Sequence, residues 1–207
     1  MVYWICNLYE ISARLCSTSR NIHRLCKHTA FSFACLEGHT DIVKMLLEEP
    51  SLEINRNDKF GQTGFYHACA NSYVDIVKML LNDDRIVINV MNMVGLYPLH
   101  SAYGKSSVLE LLTASEKINP NQTTYFGNTL LHTACSNSGG YATVEILIGC
   151  ERIDINKLDK NGRTAFHLDC KNGHIDIINL MLEKCDNVII PTEKFSDIVE
   201  EILNKHR

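Results

Sequence analysis

A seven-residue segment returns five times along this chain, and its interval limits the possible folds more than any other feature. The segments run from Thr29 to Cys35 (TAFSFAC), Thr63 to Cys69 (TGFYHAC), Tyr97 to Tyr103 (YPLHSAY), Thr129 to Cys135 (TLLHTAC) and Thr164 to Cys170 (TAFHLDC). Successive starts lie 34, 34, 32 and 35 residues apart. A period of roughly 20–50 residues means that one small supersecondary unit is repeated and stacked, because a single unit cannot bury its apolar face alone. The chain of 207 residues therefore reads as one elongated array, not as a globule built around a single centre.

The rest of each unit keeps step. Gly61, Gly95, Gly127 and Gly162 sit two residues before a segment start, where a tight turn favours a residue without a Cβ, and Lys27 takes that place in the first unit. After the segments come Asp41-Ile42-Val43-Lys44-Met45-Leu46-Leu47, Asp75-Ile76-Val77-Lys78-Met79-Leu80-Leu81 and Asp176-Ile177-Ile178. Their apolar residues recur at i, i+3 and i+4, the spacing of an amphipathic helix. Each unit is then a turn, a helix, a loop and a second helix. Val108 and Leu109 arrive two positions early in the third unit, so its loop is trimmed, whereas Ser138-Gly139-Gly140 lengthens the fourth. Length changes cost least in loops.

These features resemble the ankyrin repeat family over roughly residues 26–187, with five repeats starting near 26, 58, 92, 124 and 159. The family's Thr-Pro-Leu-His opening keeps its proline only at Pro98. The resemblance implies an all-α solenoid of stacked helix-loop-helix units joined by short β-hairpin turns. Leu52-Glu53-Ile54-Asn55, Ile86-Val87-Ile88-Asn89 and Ile153-Asp154-Ile155-Asn156 are expected to form the extended arms of those hairpins. Residues 1–25 are expected to be a degenerate repeat or cap. Residues 188–207 are expected to be a capping helix that starts at Thr192 and turns Phe195, Ile198, Val199, Ile202 and Leu203 to one face.

Composition restricts the function. A formal charge of −4 offers no basic field for a phosphate backbone, so nucleic acid is not an expected partner. No uncharged apolar stretch approaches the ~18 residues of a membrane span. Nine cysteines suggest a disulfide framework, but the number is odd and Cys35, Cys69, Cys135 and Cys170 fill one repeated slot, the family's second alanine. They read as small core residues of a reduced, intracellular protein, cytoplasmic or nuclear. His132 with Cys135 and His167 with Cys170 invite a zinc reading, yet the repeats hold these thiols too far apart for one ion with Zn–S bonds near ~2.3 Å. No metal or cofactor is expected. His100, His132 and His167 match the family's histidine, whose imidazole ties the start of the first helix to a neighbouring turn. Asp169 stands where the other units have Ala34, Ala68, Ala102 and Ala134, and a buried carboxylate there requires a local hydrogen bond. No phosphate loop or nucleophile elbow is present, so catalysis is not expected.

By resemblance the chain is a non-catalytic interaction module, expected to be monomeric, that binds a protein through its hairpin tips and the face of its first helices. The tip residues are Lys59 and Phe60, Met93 and Val94 with Leu96, and Tyr125 and Phe126. Asn71, Lys105 and Asn137 are expected at the polar rim. Family tips are polar, so this apolar run is unusual and is what contact patches are made of. The tip of the fifth unit, Lys160-Asn161, is ordinary, and the patch is expected to fade there. Two slighter resemblances accompany this. Leu47 with Glu53-Ile54-Asn55 is similar to the pattern an asparagine hydroxylase uses on ankyrin hairpins. Ile190-Pro191-Thr192-Glu193 with Ile198-Val199 looks like the opening of an F-box, although too little chain follows to complete that domain. The alternative role is thus a substrate-selecting adaptor or host-directed effector linked to a ubiquitin ligase or another enzyme.

Overall fold

The computed structural model describes residues 29–192 and 196–204. The expected leading cap, residues 1–25, lies outside them, as does Phe195. Among the described residues there are eleven helices and no strand: α1 (Ala30–Glu37), α2 (Thr40–Leu47), α3 (Gly64–Ala70), α4 (Val74–Asn82), α5 (Pro98–Ser101), α6 (Ser106–Ala114), α7 (Leu130–Cys135), α8 (Tyr141–Ile148), α9 (Ala165–Asn172), α10 (Ile175–Lys184) and α11 (Asp197–Asn204). The architecture is an all-α repeat solenoid.

The chain divides into two compact units, Met1–Ser101 and Ala102–Arg207. In the first, the leading helices of successive repeats stack as α1 on α3 and α3 on α5, while α2 packs beside α4. In the second, α7 stacks on α9, and α8 packs between α6 and α10. Phe31 and Phe65 in one unit, and Leu130, Leu131 and Phe166 in the other, are almost wholly removed from water. Ile76, Val77 and Leu80 of α4 and Val108, Leu109 and Leu112 of α6 close the cores from the second-helix side.

The threonine that opens four of the segments is the N-cap of its helix, a role hidden in the repeat pattern. Thr29, Thr63, Thr129 and Thr164 accept hydrogen bonds from the backbone N–H of Ser32, Tyr66, His132 and His167, filling a donor the helix start leaves open. Three of them are reciprocal: the Ser32 hydroxyl and the His132 and His167 Nδ1 atoms accept the threonine's own N–H. Because Nδ1 accepts, His132 is the Nε2–H tautomer, and Nε2 donates to the Arg163 carbonyl of the next repeat at 3.0 Å. Burial lowers the pKa of His132 below its ordinary value, which keeps this neutral form.

The loop changes have visible effects. In the third repeat the first helix is a single turn, and α6 starts at Ser106, with only Lys105 between it and the left-handed Gly104. In the fourth, Gly140 precedes α8, and a Cβ there would strike the Ala134 carbonyl oxygen, so the longer loop closes only with glycine.

Two expectations are corrected. The arms do not form strands; between repeats they are held by asparagine side chains. Asn55 donates to the Arg85 carbonyl and accepts from Val87 N–H at 2.7 Å each, and Asn121 and Asn156 repeat the arrangement on Arg152 and Asp154 and on Asn187 and Ile189. One amide side chain thus takes the place of a backbone ladder pair. Helix α11 starts at Asp197 instead of Thr192, burying Val199 and Leu203 while Ile198 is exposed. The apolar face is narrower than the i, i+3, i+4 pattern implied.

Candidate partner-binding surface

Each of the four described tips is a closed loop fixed by its first residue. Asp58 N–H donates to the Gln62 carbonyl, Gly61 N–H returns to the Asp58 carbonyl, and Asp58 Oδ1 accepts from the backbone of Phe60 and Gln62 at 2.8 and 3.0 Å. Asn92 and Asp159 hold their tips in the same way, and Thr124 does so with one hydroxyl bond to Phe126 N–H. Asx and hydroxyl turns of this kind need a short acceptor at the first position. The two residues after it stand at the apex, with no protein on their outer side. The glycine follows with positive φ, +78° at Gly127, where a Cβ would also lie 2.8 Å from Lys160 N.

This geometry leaves the apex side chains in water. Exposure is 50% at Phe60, 67% at Met93, 68% at Val94, 51% at Tyr125 and 73% at Phe126, and Lys59 lies beside Phe60 with its ammonium 4.8 Å from the ring centre. Within each unit neighbouring tips are tied by backbone: Met93 N–H donates to the Phe60 carbonyl at 2.9 Å, and Lys160 N–H to that of Phe126 at 3.3 Å. Phe60, Met93 and Val94 therefore belong to one patch of the first unit, and Tyr125 and Phe126 to one of the second.

Two of the expected surface residues, Leu96 and Lys105, are half-buried, and two, Asn71 and Asn137, are exposed. Leu96 is half-buried, because its N–H closes the turn on Asn92 and its side chain falls behind the apex. Lys105 is half-buried as the residue preceding α6. Asn71 and Asn137 are exposed, but their amides are engaged, donating to the His67 and Thr133 carbonyls at the ends of their own helices. At the fifth repeat the apex residues Lys160 and Asn161 are polar and exposed, and Leu158, one residue before the tip acceptor, is 56% exposed. It stands outside the apex pair, so the repeat pattern gave no reason to select it.

Behind the apices the carboxylates are turned inward. Asp58 Oδ2 accepts from His67 Nε2 at 3.1 Å, and Asp159 Oδ2 accepts from both the Nε and a terminal nitrogen of Arg163. Burial pushes the Asp159 carboxyl up, but hydrogen bonds from the Arg163 backbone and guanidinium and from Asn161 outweigh it and bring the pKa to about 2. The His67 pKa is lowered by burial against the pull of Asp58.

Cys35, Cys69, Cys135 and Cys170 are buried in the core, and burial pushes the Cys35 and Cys135 thiols far up from their ordinary pKa. No group of three His, Cys, Asp or Glu residues among those described is placed to hold a metal ion. An open depression of about 640 Å³ over the arm of the first unit is lined by Leu52, Glu53, Ile54, Asn55, Arg56 and Arg85, with the Asn55 amide already bonded on both sides. No described helix is long and apolar enough to cross a membrane.

The family model described as "Ankyrin repeats (3 copies)" matches residues 3–92 and 98–191. The chain belongs to the ankyrin repeat family, and the match extends further towards residue 1 than the five units legible by eye. No curated protein shows significant similarity to it.

Proposed function

We propose that the chain is a non-catalytic, intracellular interaction module that holds a protein partner on its apolar tips, with the adjoining face of the first helices as the rim. The exposure of bulky side chains at three consecutive tips carries this reading. A turn apex is normally polar, and exposed aromatic and aliphatic side chains gathered at neighbouring apices are characteristic of contact sites. Because these side chains touch little of their own protein, replacing them removes binding area and leaves the core intact.

The test is affinity capture from cell extract by the wild-type chain and by the Phe60→Ser, Met93→Ser, Phe126→Ser variant, with retained proteins identified by mass spectrometry. We expect the variant to lose the wild type's specific partners while its unfolding free energy changes by about 1 kcal/mol or less. Equal retention by both proteins would overturn the tips as the site, and so would global unfolding of the variant. Retention of ubiquitin-ligase subunits would assign the adaptor role.

A further inference from the structure

The charge that the tips expose differs from the charge of the segments that build them. In the first unit the stretch from Arg56 to Gln62 contains Asp58, Lys59 and Arg56; in the second, Lys157 to Arg163 contains Lys157, Asp159, Lys160 and Arg163. By composition the two acids offset two of these five positive charges. The fold removes both acids from the contact surface: the side chain of Asp58 is 1% exposed and that of Asp159 is 0%. Their oxygens are taken up by turn N–H groups, His67 and Arg163. Lys59 and Lys160 remain exposed beside Phe60 and Phe126. The other tip of each pair, Met93-Val94 and Tyr125-Phe126, carries no charge. Leading helices α7 and α9 of the second unit likewise expose no carboxylate and one lysine, Lys171. Exposed acids of that unit lie on its second helices, at Glu110, Glu145, Asp176 and Glu183, and in the connecting arms, at Glu116, Glu151 and Asp154, outside the apex pairs.

Each tip pair thus couples an aromatic or aliphatic anchor site to a lysine, with no acid among its apex residues, in a chain whose formal charge is −4. Such an arrangement attracts a carboxylate placed next to an apolar side chain and disfavours a basic segment, for which no exposed partner exists at the tip. We propose that the tip pairs bind an acidic segment of the partner protein, in which Asp or Glu flanks a bulky apolar residue. This rests on the tips being the contact site and adds the chemistry of what they contact.

A random peptide library displayed on phage and selected on the immobilised full-length chain tests it, with two comparison baits, the Lys59→Glu, Lys160→Glu variant and the triple serine tip variant. Enrichment of peptides with acidic residues next to Leu, Met, Phe or Trp is expected. Their synthetic versions should bind the glutamate variant about tenfold or more weakly and lose affinity as salt is raised. Both lysines are exposed, so the glutamate variant should keep the wild-type unfolding midpoint. Enrichment of basic or charge-neutral peptides, or equal binding to the glutamate variant, would overturn the acidic assignment. If those peptides still fail to bind the serine variant, the tips stand as the contact site. Peptides that bind all three baits equally, or no enrichment at all, would overturn both.

Discussion

Asp169 is the residue at which this chain departs most sharply from its own repeat. Four units place alanine in that slot, and the fifth buries a carboxylate with no side-chain exposure. Its Oδ1 accepts from His174 Nδ1 at 3.1 Å, the local bond such a substitution requires, and the same Nδ1 also faces the Cys135 carbonyl. Its Oδ2 has no hydrogen-bond partner. Burial raises the pKa of Asp169 to about 7, against the opposing influence of Cys135 and His174. Between the unfolded value, near 3.8, and about 7 the folded chain holds a proton that the unfolded chain has released. Stability conferred by this group therefore falls as pH rises through that window and stays low above it. Asp169→Ala should be more stable than wild type at pH 8, by about 1–3 kcal/mol, with the advantage shrinking as the pH is lowered towards 4. Urea unfolding across that range measures it, and a pH-independent difference between the two proteins would contradict the assignment.

At the level of the helix, two arginines perform a task that the repeat pattern does not reveal. Arg152 lies in the arm after α8, yet its guanidinium donates to the carbonyls of Thr113, Ser115 and Ile118 at 2.7 to 2.9 Å, at and beyond the C-terminal end of α6. Arg85 reaches back in the same way to Leu47, the last residue of α2, and to Glu49 beyond it. A cation at a helix C-terminus meets the last unpaired carbonyls and the negative end of the dipole. Each arginine thereby fastens one repeat to its predecessor. Arg152→Ala should destabilise the fold by about 1–2 kcal/mol, since charged hydrogen bonds are partly discounted where water reaches the group. Arg85→Ala should cost less, because Arg85 is the more exposed of the two. Chemical denaturation of both variants checks the order. The threonine caps belong to this scale too: Thr29, Thr63, Thr129 and Thr164 align because each opens a helix.

For the whole molecule, stability comes from repeat against repeat within each unit. Cys35 lies at the α1–α3 junction, where a Cβ on Gly64 would come within 3.1 Å of its sulfur, and Cys69 occupies the same slot one repeat on. Cys135 and Cys170 occupy it on stacked helices α7 and α9. Neighbouring repeats share an interface and open together when that interface is lost. In moderate urea, pulsed alkylation read by mass spectrometry should show Cys35 and Cys69 losing protection together, and Cys135 and Cys170 together. Four unrelated rates would contradict shared interfaces.

The sequence alone determined the period, the helix pair in each unit and the buried cysteines, because repetition shows the same local chemistry five times over. It also pointed to Phe60, Met93, Val94, Tyr125 and Phe126 as tip residues, from their place just before the turn glycine, and all five are exposed. Tertiary structure decided what depends on a neighbouring repeat some thirty residues away. The arms became asparagine-bridged turns instead of strands, Arg85 and Arg152 became clamps, Leu96 turned partly inward and Leu158 outward. The charge of the tips was settled in the same way: Asp58 and Asp159 count as acids in the composition, but in the folded chain their carboxylates face inward and lysine meets the solvent. A local pattern records which residues are present, and only packing determines which of their atoms a partner can reach.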